Sequence, residues 1–168
     1  GILHREYHAE DFVRAGGTMQ MAQLWVNLPR KHKMSKPSYQ AIEADKMGVH
    51  EFKGGRVRVI AGEHAGVKGP ARTFSPVQLY DIDLKKGGRY TITLPSTYNT
   101  ALLVMKGEVT VNGDKAKMDD FVLFKNAGEE IKLAASADAQ LLLMGGEPLN
   151  EPVANYGPFV MNTPQEIA

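Results

Sequence analysis

Alternation of apolar and polar residues dominates the chain, and a period of two marks a strand with one buried and one wet face. Arg56-Val57-Arg58-Val59-Ile60 is the clearest case. In 77–84 the same period places Leu79, Asp81 and Asp83 on one face and Gln78, Tyr80, Ile82 and Leu84 on the other. Further strands are predicted over 20–28, 90–94, 101–105, 108–111, 121–124, 131–134 and 140–144. The first of these ends at Pro29 and carries Trp25 and Val26, both β-formers, with Trp25 expected in the core. Asn112-Gly113 predicts a tight hairpin, because a type I′ turn needs positive φ at both central residues. Gly62, Gly66, Gly69 and Pro70 break the chain so often that 62–70 is expected to be loop. No amphipathic pattern longer than two helical turns is present. Thr163-Pro164-Gln165-Glu166 has the order of a helix start, with Thr as N-cap, Pro at the first position and Glu at the third.

Short strands at spacings of about 8–12 residues, separated by Gly, Pro and Asn, predict an all-β antiparallel sandwich or barrel. Composition agrees with a folded domain: 43% of the 168 residues are hydrophobic and 23% charged. The net charge of +1, from 20 basic and 19 acidic side chains, supplies no broad basic face for nucleic acid. With no cysteine, disulfides, thiolate nucleophiles and Cys-based zinc sites are excluded, which suits a cytoplasmic or nuclear setting. The longest apolar runs fall far short of the roughly 20 residues of a membrane helix, so no membrane partner is expected. The opening Gly1-Ile2-Leu3-His4-Arg5-Glu6 lacks both an initiator Met and the pattern of a signal peptide. Together with the interrupted helix start, this suggests a chain cut at both ends.

The five histidines are His4, His8, His32, His50 and His64, so any imidazole chemistry resides in the first 64 residues. Side chains at i and i+2 of a strand share a face about 6.6 Å apart. His4 and Glu6 therefore read either as half of a metal site or as a polar edge-strand face, with His8 a bystander. A mixed imidazole and carboxylate set with open positions is the pattern of non-haem Fe(II) oxygenases, and it needs further ligands from elsewhere. His32 lies between two lysines and reads as a solvated loop charge. His50 and His64 adjoin Glu51 and Glu63 and read as ordinary surface pairs. Asp119-Asp120 and Glu129-Glu130 read as turn charges. Phosphate-loop, nucleophile-elbow and zincin motifs are absent from the sequence.

Three stretches together resemble the pirin family: Gly1-Ile2-Leu3-His4-Arg5-Glu6; Gln23-Leu24-Trp25-Val26-Asn27-Leu28-Pro29 with Lys36-Pro37-Ser38-Tyr39-Gln40; and Gly146-Glu147-Pro148-Leu149-Asn150-Glu151-Pro152-Val153, leading to Tyr156-Gly157-Pro158-Phe159-Val160-Met161-Asn162-Thr163. The resemblance runs through essentially the whole chain. It implies a bicupin, two jelly-roll-like β-barrels, with one iron in the first barrel held by three His and one Glu. Carried over, the metal-ligand roles fall on His4 and Glu6, while the His-x-His that supplies the other two ligands is not in this sequence. Residues 1–40 then correspond to the tail of the first cupin barrel. Residues 41–168 correspond to the second, which lacks metal ligands. For the longer parent, the resemblance implies an iron-dependent dioxygenase acting on a flavonol of the quercetin type. The alternative it implies is a regulatory or scaffold protein that binds transcription factors or metabolic enzymes. By itself the chain is expected to be inactive, to bind iron weakly and to self-associate through uncovered strand edges.

Overall fold

The computed structural model describes residues 7–168. His4 and Glu6 lie outside the described residues. Two compact units are present: Gln40–Asn150, and the residues up to Tyr39 together with Glu151–Ala168.

In the larger unit the strands are β1 (Gly48–Phe52), β2 (Gly55–Ala61), β3 (Glu63–His64), β4 (Val67–Lys68), β5 (Val77–Leu84), β6 (Arg89–Thr93), β7 (Asn99–Lys106), β8 (Glu108–Val111), β9 (Asp114–Lys117), β10 (Phe121–Leu123), β11 (Glu130–Ala135) and β12 (Ala139–Gly146). Ten of them form two antiparallel sheets, ordered β1-β2-β5-β12-β7-β10 and β6-β11-β8-β9. Their inner faces meet in an apolar core that includes Val57, Val59, Ile82, Ile92, Leu102, Val104, Ile131, Leu141 and Leu143. This core follows from the alternation in sequence. Val57 and Val59 are buried while Arg56 and Arg58 are not, and in β5 Tyr80, Ile82 and Leu84 point inward. On the outer face of the larger sheet, Arg56 Nε donates to Asp83 (2.8 Å) and Arg58 Nε to Asp81 (2.9 Å). Gln140 Nε2 donates to the other Asp81 oxygen (3.1 Å). The Arg–Asp pairs support the register of β2 on β5, and the Gln140 hydrogen bond adds β12 to the same network.

The hairpin predicted at Asn112-Gly113 joins β8 to β9, with φ of 51° and 100° at the two turn residues. Three expectations are corrected. First, 62–70 is not all loop: β3 and β4 pair as a small hairpin across Ala65 and Gly66, both at positive φ. Second, 20–28 forms no strand, and Trp25 is 66% exposed instead of lying in the core. A strand exists only within a ladder, and residues 20–28 enter none of the ladders formed by the described strands, so β propensity alone does not make them one. Third, the larger sheet has an edge strand, β1, that the periodicity did not announce.

The smaller unit contains a short helix, α1 (Glu10–Ala15), and a hairpin of β13 (Ala154–Tyr156) and β14 (Phe159–Met161) turning at Gly157. The helix start expected at Thr163 is realised as a single turn, Pro164–Glu166, closed by a capping box between Thr163 and Glu166. Side chains tie this end of the chain to Arg30. The Arg30 N–H donates to Glu151 Oε2 (2.7 Å), and its guanidinium to Glu166 Oε1 (3.2 Å). Asn162 Nδ2 donates to Glu151 Oε2 and to the Pro152 carbonyl. Partial desolvation pushes the Glu166 carboxyl up. The N–H groups of Asn162 and Thr163, the Arg30 guanidinium and the Thr163 hydroxyl outweigh it and hold the carboxyl below its ordinary value of 4.5. A carboxyl depressed by folding stabilises the fold above its unfolded pKa, and that contribution fades as pH falls through the lower folded value. Acid titration is therefore expected to loosen this unit below about pH 4.5, and Glu166→Gln to remove that step. Amide exchange at Asn162 and Thr163 as a function of pH checks it.

Candidate functional site

The inner face of the larger unit carries its chemistry at one seam. β1 is one edge of the six-stranded sheet, β10 being the other, and β6 is one edge of the four-stranded sheet, β9 being the other. Among the described residues no ladder joins β1 to β6, and aromatic side chains close the gap instead. β1 pairs with β2 so that His50 lies opposite Val57 and Phe52 opposite Gly55. Its inward residues are therefore His50 and Phe52, while Val49 and Glu51 face solvent. Phe52 stacks on Tyr90 of β6 with ring centroids 3.8 Å apart and planes inclined by 17°. The β3–β4 hairpin brings His64 to the same place, where its Nε2 and the Tyr90 hydroxyl share a hydrogen bond of 2.8 Å. His50 and His64 are 5.6 Å apart, centroid to centroid. Beneath them the buried Tyr80 hydroxyl lies within hydrogen-bond distance of two acceptors, the Glu63 carbonyl (2.8 Å) and Gln78 Oε1 (2.6 Å), which share its one proton.

Burial sets the protonation of this cluster. Desolvation lowers the His64 imidazole below its ordinary value, and the neighbouring His50 lowers it further, so His64 is neutral at neutral pH. Burial raises the phenol of Tyr90. It raises that of Tyr80 too, helped by Tyr98 and Glu63. The expectation that His50 and His64 form surface pairs with Glu51 and Glu63 is thus corrected. In β1 Glu51 faces the opposite side from His50, and the Glu63 carboxylate approaches Lys68 (3.8 Å). The signal available in sequence was the spacing of His50 and Phe52, two residues apart on one strand face.

The other expected positions are scattered. His8 sits against Phe12 in the smaller unit, with rings 6.2 Å apart. His32 lies in the single turn Arg30–His32. Asp119 occupies a turn at φ 72°, and Asp120 accepts a hydrogen bond from the Lys117 N–H, as turn charges do. Glu130 lies in β11 and pairs with Lys132. Among the described residues no three His, Asp or Glu side chains converge where they could hold a metal ion. The described residues alone therefore do not supply the ligand set of an iron centre. An open groove of about 580 Å³ lies on the far side of β1, lined among others by Glu51, Arg56, Asp83, Lys85, Lys106 and Asp138. Its charges are largely spent on one another, as in Arg56–Asp83 and Lys85–Asp138.

Two facing antiparallel sheets of short strands, closed around an apolar core, define an all-β barrel of the cupin class. Comparison with known proteins agrees. The family model described as "Pirin C-terminal cupin domain" matches residues 79–168. A "putative quercetin 2,3-dioxygenase" of Pseudomonas aeruginosa is 42% identical over 99% of this chain and 59% of its own length. The pirin of Rattus norvegicus is 32% identical over 100% of this chain and 58% of its own. A crystal structure titled as quercetin 2,3-dioxygenase from Acinetobacter baumannii superposes with a TM-score of 0.81 at 42% identity, covering 85% of this chain and 51% of that one. The chain belongs to the pirin family. It spans less than two thirds of the length of these relatives. No helix among the described residues is long and apolar enough to cross a membrane.

Proposed function

We propose that this chain is part of a longer metal-dependent dioxygenase that cleaves a flavonol of the quercetin type. In this reading residues 1–40 are the tail of its first cupin barrel and 41–168 its second barrel. The observation that carries the reading is identity over nearly the whole chain to the Pseudomonas relative named for that activity, at 42%. The Acinetobacter structure titled for the same activity, at the same identity, supports it. His4 and Glu6 supply part of the ligand set of an iron ion, and the remaining ligands come from outside this sequence. When bound, the metal would bring O₂ and an aromatic enolate substrate together at open coordination positions. In this reading the larger unit, whose interior is packed with side chains such as Ile82, Leu102, Leu141 and Leu143, serves as a structural support.

Metal analysis tests the assignment. The 168-residue chain is expected to retain well below one iron per chain after gel filtration. The longer protein is expected to retain close to one, and to lose it by more than tenfold on His4→Ala or Glu6→Gln. Stoichiometric iron on the short chain, or retention by both variants, would refute the ligand assignment.

A further inference from the structure

We propose that His50, His64 and Tyr90 form a second cation site, at the seam between the sheets, selective for late first-row divalent ions and for Cu²⁺ above all. Three strands that are not neighbours in one ladder contribute its three rings: β1, β3 and β6. The rings stand at the corners of a nearly equilateral triangle. His50–His64 is 5.6 Å, His64–Tyr90 5.7 Å and His50–Tyr90 5.9 Å. Imidazole nitrogen binds such ions at about 2.0–2.1 Å, which puts the ring centroid roughly 3.2 Å from the metal. With a nitrogen of each ring turned to a common point, two centroids 5.6 Å apart would subtend roughly 120° at the ion. Two neighbouring ligands at those bond lengths and a right angle lie roughly 2.9 Å apart. His64 Nε2 and the Tyr90 oxygen are 2.8 Å apart, so an ion can take the place of the proton they share.

The donor set selects the ion. Two imidazoles and a phenol suit Cu²⁺, which also stands highest in affinity among first-row divalent ions at nitrogen and oxygen sites. Tyr90 ligates as phenolate, and its proton passes to water. All three residues are half-buried, so solvent reaches the site while the surrounding rings hold it in place. Burial of His64 favours the neutral imidazole, the form that ligates, whereas burial of Tyr90 favours the protonated phenol, so the ion must displace that proton as it binds. The stack of Phe52 on Tyr90 restrains the phenol ring. Bound metal would clamp β1 to β6, the edges that no described ladder joins.

The test titrates the chain with CuCl₂ in a His4→Ala/Glu6→Gln background, so that the proposed iron ligands contribute nothing. One Cu²⁺ per chain is expected, with nitrogen couplings in its electron paramagnetic resonance spectrum and a tyrosinate-to-copper absorption band. His50→Ala and His64→Ala are each expected to weaken binding at least 30-fold, and the volume-preserving His50→Gln and His64→Gln at least tenfold. Tyr90→Phe should abolish the absorption band while leaving the circular dichroism spectrum of the barrel unchanged. His8→Ala and His32→Ala should change the affinity less than threefold. Retention of affinity in the His50 and His64 variants would overturn the site. So would persistence of the band in Tyr90→Phe, or an equal loss on His32→Ala.

Discussion

Leu143→Ala is expected to destabilise the larger unit by about 3 kcal/mol, within the range of buried Leu→Ala substitutions. Leu143 is fully buried near the middle of β12, the strand that joins the two halves of the six-stranded sheet. It faces Tyr80 on one neighbouring strand and Leu102 on the other, and both are buried as well. Those strands are held by antiparallel ladders, unbroken along β5 and paired with β7 from Leu141 to Gly146, so the walls of the cavity resist closing over the missing atoms, and the cavity adds to the lost transfer energy. Leu123 supplies the contrast. It is 75% exposed on the edge strand β10, and Leu123→Ala is expected to shift stability by no more than about 0.5 kcal/mol. Urea denaturation of the two variants beside the parent measures the difference. Equal effects would mean that the core does not sit between these sheets.

Gly69→Ala is expected to cost about 2–3 kcal/mol through backbone displacement, a mechanism found among the larger single-residue effects. A Cβ there would lie 2.6 Å from both the Ala61 nitrogen and the Ile60 oxygen, which are main-chain atoms with no rotamer to yield. The same close approach is held by two hydrogen bonds, from Gly69 N–H to the Gly62 carbonyl (2.9 Å) and from Ala71 N–H to the Ile60 carbonyl (3.0 Å). Relieving the clash moves the end of β2 away from the β3–β4 hairpin, which carries His64. The substitution should therefore disturb the His64–Tyr90 contact as well, visible as a change in the imidazole resonances of His64. Gly66→Ala tests the other role of glycine. Nothing lies within 4 Å of the added carbon, and only the positive φ of 79° is unfavourable, so a loss of about 1 kcal/mol is expected. A larger loss for Gly66→Ala than for Gly69→Ala would contradict the account of this corner.

What could be read from sequence follows the physics of each element. β2 and β5 were legible because each must bury one face, which writes Val57, Val59, Tyr80 and Ile82 at period two against charged neighbours. The β8–β9 turn was legible because Asn112 and Gly113 meet a dihedral requirement that is purely local. β1 was not legible. It is short, it lies at an edge, and its inward positions are a histidine and a phenylalanine rather than aliphatic residues. Segment 20–28 misled in the opposite sense, since β-forming residues such as Trp25 and Val26 predict a strand only if a partner is at hand. The seam was hidden for a third reason. His50, His64 and Tyr90 lie 14 and 26 residues apart, and only the β3–β4 hairpin and the closure of two sheets bring them together. The family, in contrast, was carried by long residue strings and needed no geometry.

Oxygen consumption with quercetin, by the longer protein to which the proposal assigns this chain, tests the central claim most directly. Iron-loaded protein is expected to consume O₂ in step with loss of the flavonol, and to lose that turnover by at least 100-fold on Glu6→Gln. Turnover that survives both Glu6→Gln and His4→Ala, or iron-loaded protein without flavonol-dependent O₂ uptake, would contradict the account.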